Sequence, residues 1–192
     1  MTKKAQASGP PVFMHSAIDG LAFGVLRREF SGINDVVSFA HRKLHPDKNV
    51  TASPADLRWQ PSCFRHELLL TAEMPDVFGY YPVVLHSFEC EADPTNKDLM
   101  LHLKVTGEGR PNHYLWDRAR RFAASVLRDE NGLATILAMH DPPPTAVYKN
   151  QPHVHIMALA RRFDGRRWGD VTDLARDAAH ARLAAAWKAT AA

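Results

Sequence analysis

Histidines at three positions carry the clearest chemical signal in this chain. His153 and His155 stand two apart in Gln151-Pro152-His153-Val154-His155-Ile156-Met157. On a strand, that spacing projects both imidazoles from one face, with Cα atoms roughly 6.5–7 Å apart. His140 closes the apolar run before them, Leu133–His140. If the two runs pair as a hairpin, the end of the first lies beside the start of the second, and His140 lands next to His153. Three neutral imidazoles then converge on one point, a donor set suited to a divalent metal ion such as Mg, Mn or Zn. Asp141 either orients an imidazole or caps the turn before Pro142. The other eight histidines, at 15, 41, 45, 66, 86, 102, 113 and 180, carry no comparable signal.

Elements around these residues follow from periodicity. Asp98–Val105 reads as a strand, with Leu99, Leu101, Leu103 and Val105 alternating against Met100, His102 and Lys104. A helix is expected over 112–129, with Asn112 as its N-cap and Asn131-Gly132 as its stop. Leu115, Trp116, Ala119, Phe122, Ala123, Val126 and Leu127 share one face of it. Leu133–His140 and His153–Arg161 are apolar on both faces, as inner strands are, and Val171–Lys188 is expected to be an alanine-rich final helix. Before residue 98 the pattern weakens. A helix is expected near Ile33–Lys43, while Arg65–Ala72 and Val83–Cys90 admit either strand or short helix. The order fits an α+β fold, an antiparallel sheet with helices packed on it. Residues 1–12 read as a mobile tail and 13–192 as a single domain.

Composition narrows the function classes. The chain has 192 residues, 45 % apolar and 23 % charged, the balance of a globular protein. No apolar run approaches the roughly 20 residues of a membrane helix. Met1-Thr2-Lys3-Lys4 is followed by polar residues and prolines instead of an apolar segment, so no secretory signal is expected and cytoplasmic residence is. Cys63 and Cys90 are too far apart for a C-x-x-C site. Net charge is +3, but the stretch 110–168 alone carries +5. A basic zone coinciding with the histidines suits an anionic partner. Arg161, Arg162, Arg166 and Arg167 would track a DNA backbone, with Trp168 stacking a base.

The string Gly132-Leu133-Ala134-Thr135-Ile136-Leu137-Ala138-Met139-His140-Asp141, then Gln151-Pro152-His153-Val154-His155-Ile156-Met157 and Arg161, resembles the MobA/MobL relaxases. These are HUH-type DNA-nicking proteins of plasmid mobilisation. Their pattern is an apolar strand ending in His-Asp, a variable loop, then Asn-Pro-His-x-His, and Gln151 stands in place of the asparagine. The likeness is best over 98–168. It implies a sheet of about five antiparallel strands with flanking helices, origin or single-stranded DNA as partner, and mobilisation accessory proteins alongside. It also implies a tyrosine that attacks the scissile phosphate. The matching stretch here, Val36–Lys43, has His41 at that place. Tyr80 or Tyr81 is then the expected nucleophile, with Tyr114 and Tyr148 as further candidates. Two rival readings are a relative that binds origin DNA without cutting it and a phosphodiesterase using metal-bound water. A cupin-like oxygenase also uses His-x-His, but the carboxylate expected after it is missing.

Overall fold

The computed structural model describes residues 12, 14–28, 34–47, 53–56, 58–91, 95, 97–107, 109–142 and 151–190. Six strands form one antiparallel sheet: β1 (His15–Ile18), β2 (Leu21–Arg27), β3 (Arg65–Leu69), β4 (Asp98–Thr106), β5 (Thr135–His140) and β6 (His153–Leu159). Their spatial order is β1-β2-β4-β6-β5-β3. Two further strands, β7 (Arg161–Phe163) and β8 (Trp168–Val171), pair as a separate hairpin. Four helices flank the sheet: α1 (Val36–Leu44), α2 (Tyr81–Glu91), α3 (Asn112–Phe122) and α4 (Ala179–Ala189).

The sheet is covered on both sides because its central strands are apolar on both faces, and all seven residues of β6 are buried. On one face, Phe23, Leu101, Leu103, Leu137, Val154 and Ile156 pack under Trp116 and Phe122 of α3 and Leu183 and Trp187 of α4. On the other, Met100, Ile136, Ala138, Met157 and Leu159 pack under α1 and α2, through Val36, Phe39, Leu44, Val84 and Phe88. This second face carries the histidines, since His140 continues the parity of Ile136 and Ala138.

The α+β class, the hairpin of the two apolar strands and the strand over 98–105 are as the sequence implied. Other expectations need correction. The main sheet, expected at about five strands, has six. Strands β1 and β2, not foreseen from the sequence, are joined at Asp19-Gly20, both with positive φ, the mark of a tight hairpin turn. Of the two ambiguous runs, the first is strand β3 and the second belongs to helix α2. Pro111, not Asn112, is the N-cap of α3, and the Asn112 amide instead donates to Asp141 Oδ2 at 2.8 Å. The helix continues through Ala123–Asp129 with π-type bonding, then stops at Asn131 and Gly132, the latter at φ +66°. The final helix is shorter than Val171–Lys188. Val171 pairs with Arg161 in the β7–β8 hairpin, Thr172 caps a single 3₁₀ turn, and Asp177 is held by Arg27 at 3.0 Å before α4 begins. Strand β6 ends at Leu159, so Arg161 belongs to β7.

Candidate metal centre

Register builds the cluster. His140, the last residue of β5, pairs with His153, the first of β6, and His155 follows two residues on. Ring centroids lie 5.2 Å (His140–His153), 4.7 Å (His140–His155) and 4.8 Å (His153–His155) apart. One nitrogen from each ring lies within 4.8 Å of the others.

The remaining nitrogens are already engaged. His153 Nδ1–H donates to the Gln151 carbonyl at 2.9 Å, and His140 Nε2–H donates to the Lys43 carbonyl at 2.7 Å. A carbonyl only accepts, so these contacts fix both tautomers and leave lone pairs on His153 Nε2 and His140 Nδ1. His155 Nδ1 lies 2.9 Å from His102 Nε2 on the neighbouring strand β4. With His102 as acceptor, His155 Nε2 also presents a lone pair. Outer hydrogen bonds of this kind are what orient histidines that bind metals.

Electrostatics keeps the rings neutral. Burial, then Lys43 and Lys104, push His102 down to about 3. Burial, with Lys104, His140 and Lys43, takes His153 down to about 4 against the opposing bond to Gln151. His155 is driven well below its ordinary value, again chiefly by burial. His140 is lowered by burial and by the same two lysines, against its bond to Lys43. Near neutral pH the cluster offers unprotonated imidazoles, the form that ligates. The residues present therefore fit a divalent ion.

A basic rim adjoins the cluster. Arg42 and Lys43 from α1 and Lys104 from β4 line a cleft of about 460 Å³ together with His140, His153 and His155. A second cleft of about 450 Å³ shares Pro46, His140 and His153 and adds Asp47, Cys63 and Phe64. Lys43 is itself held below its ordinary value by burial and by Arg42 and Lys104. Crowded, partly desolvated cations beside neutral imidazoles favour a multiply charged anion. Asp141 turns to Asn112 rather than to an imidazole. His102 was not singled out by the sequence. Its only signal was the alternation that set it beside Lys104 on one face of β4, and the pairing of β4 with β6 is what gives that face a partner.

The hairpin residues expected to bind DNA lie elsewhere. Arg161 lies eight positions after His153, roughly 26 Å of extended chain. The β7–β8 hairpin therefore sits toward the opposite end of β6 from the cluster. Trp168 is 5 % exposed, with its ring among Phe78, Phe88 and Phe163 and its Nε1–H donating to Ser87, so it has no free face for a base. Arg161 is buried, and Arg162 packs on Gly132 and donates to the Asn131 carbonyl. Arg166 and Arg167 are exposed in the turn held by Asp164.

None of the described tyrosines joins the cluster. Tyr81 hydrogen-bonds His66 Nδ1 at 2.9 Å, and burial, Cys63 and Glu67 raise its phenol, keeping it protonated. In the row His155–Ala138–His66, His66 lies two strands, roughly 10 Å, from His155, and Tyr81 is bonded to that residue and not to the cluster. Tyr80 is 60 % exposed at the start of α2. Tyr114 stacks under Arg110, and Tyr148 lies outside the described residues. His41 is buried against His45 and Trp59, roughly 160° around α1 from Phe39, which faces His102. Among the described residues, no helix is long and apolar enough to cross a membrane.

No family model matches the chain, and no curated protein does. A solved structure described as the "Molecular Basis of Vancomycin Resistance Transfer in Staphylococcus aureus" superposes with a TM-score of 0.56 at 16 % identity. The match covers 68 % of this chain and 69 % of that one. Similarity at that identity establishes the architecture alone, an α+β fold with a six-stranded antiparallel sheet and flanking helices.

Proposed function

We propose that this chain grips a phosphate of single-stranded DNA at the mobilisation origin of a plasmid or integrative element, through a divalent ion held by His140, His153 and His155, and forms no covalent link to the strand. The observation that carries this reading is the outward fixing of the imidazoles. Lys43 O and Gln151 O each hold one ring nitrogen, His102 lies against the third ring, and one nitrogen of each ring lies within 4.8 Å of the others. When bound, the ion supplies positive charge to non-bridging phosphate oxygens. Lys43, Lys104 and Arg42 add charge to the adjoining phosphates, and His102 holds the ring of His155. Support for a mobilisation role comes from the motif string and from the fold shared with a protein studied in vancomycin resistance transfer.

Absence of a covalent step is proposed from two placements. His41 occupies the helix position where the resemblance expects tyrosine, and Tyr81 is bonded to His66 away from the cluster. A second reading, hydrolysis by metal-bound water, has one observation in its favour: Asp47 lines the same cleft as His140 and His153 and is a carboxylate that such a reaction needs as base. One experiment separates the readings. Labelled origin oligonucleotide is incubated with the protein and Mn²⁺, then resolved on native and denaturing gels. The proposal expects a shifted native band that EDTA abolishes and an intact free strand under denaturing conditions. A band covalently attached to protein, absent in Tyr80→Phe, restores the nicking assignment. Shortened strand without adduct favours hydrolysis, and an unshifted native band overturns DNA binding.

A further inference from the structure

Few large apolar side chains are exposed among the described residues, and one of them, Phe64, stands at the histidine cleft with 64 % of its surface open. Its backbone is fixed, because Phe64 N–H donates to the Met139 carbonyl at 3.0 Å just before Arg65 pairs with Met139. Phe64 thus extends the row His153–His140 by one strand. Neighbouring strands are roughly 4.8 Å apart, which puts the ring immediately beside the histidine cluster.

The same ring also borders a second hollow, of about 330 Å³, on the α3 side of the sheet edge. Trp116, Met139 and the stem of Arg65 give that hollow an almost wholly apolar wall, with Asn112 and His113 as its polar members. Arg65 is anchored there by stacking on Trp116 at 4.7 Å. A flat aromatic thus stands between an apolar hollow and an imidazole-lined cleft that meets the cationic cleft across His140 and His153. The two compartments match the two halves of a nucleotide, an anionic phosphate and a planar apolar base, and the cations of Arg42, Lys43 and Lys104 select the anionic half.

We infer that Phe64 is a stacking platform for one nucleobase of a single strand whose phosphate sits at the histidine centre, with the base turned into the hollow bounded by Trp116 and Met139. This inference rests on the phosphate-gripping reading above and adds the base to it. Stacking on an exposed aromatic tolerates any base, because every base presents a π face. Recognition here therefore distinguishes a strand with bases from a bare phosphate backbone.

The test compares two fluorescein-labelled probes with equal phosphate number, dT20 and an abasic 20-mer, by anisotropy with Mn²⁺ present. Wild type should bind dT20 about 5- to 100-fold more tightly than the abasic strand. Phe64→Ala should erase that preference by weakening dT20 alone, with an unchanged salt slope, and Phe64→Trp should restore it. Because Phe64 is largely exposed, thermal melts of both variants should match wild type. Equal binding of both strands by wild type, or a dT20 preference that survives Phe64→Ala, overturns the stacking role while leaving the phosphate grip standing. Failure of wild type to bind either strand overturns the phosphate reading itself.

Discussion

Acid should weaken this protein through His102, and the size of the loss can be worked out. In the unfolded chain its imidazole titrates at its ordinary value near 6.5. In the fold it is held down to about 3. The unfolded state therefore takes up a proton that the native state refuses. The stability lost appears as pH falls through 6.5 and stops growing only below about 3. At pH 5 this one group costs about 2 kcal/mol. His102→Phe removes the titration and keeps an aromatic ring against Phe39. It also leaves His155 Nδ1 without its partner, a cost of about 1–3 kcal/mol that is present at neutral pH. The variant should thus be the less stable protein at pH 7.5, and by pH 5 the gap should shrink by about 2 kcal/mol. In urea that is a relative midpoint shift of about 1 M. The assay is urea unfolding in EDTA at pH 7.5, 6 and 5, followed by the fluorescence of the four tryptophans. A gap that stays constant across the three pH values would refute the neutral, buried state of His102.

Metal titration offers an independent check: Mn²⁺ or Zn²⁺ at a hundredfold excess over Kd should stabilise wild type by about 2.7 kcal/mol, and His153→Ala should abolish the shift in a thermal melt. His102→Phe should keep metal binding but weaken it about 10- to 100-fold, read by calorimetric titration. Replacing Arg42, Lys43 and Lys104 with alanine should lower the slope of log K against log salt for a single strand by about 2, whereas replacing Arg166 and Arg167 should leave it unchanged. Trp168→Ala should cost about 3–5 kcal/mol in urea unfolding, as loss of a buried aromatic does. Its affinity for DNA, measured where the protein is still folded, should not change.

What the sequence made legible tracks the strength of local periodicity. Strands β4, β5 and β6 and helix α3 each carry a sustained pattern, and the histidine cluster followed from one further assumption, that consecutive apolar strands pair as a hairpin. Strand β2 escaped notice because Leu21–Arg27 is buried on both faces and so shows no alternation. Helix α2 buries Pro82, Val84, Leu85 and Phe88, and the short apolar run within it looked equally like a strand. His102 was invisible as a participant because the residue that gives it meaning, His155, is 53 positions away and joined to it only across a ladder. The opposite error arose at Arg161 and Trp168. They are close to His155 in sequence, but a strand runs straight, so each residue along β6 carries the chain farther from the cluster. Adjacency in sequence suggested one site where the sheet has two ends.

The histidine trio is held by a ladder, and a ladder has an indivisible unit of error. His153 and His155 share a face only because strand parity puts them there, and His140 meets them only because β5 and β6 are in one register. A slip by a single residue would send both members of the pair to the α3 face together and put Pro152, Val154 and Ile156 in their place. No intermediate slip keeps half the donors. The centre is therefore inherited whole or lost whole.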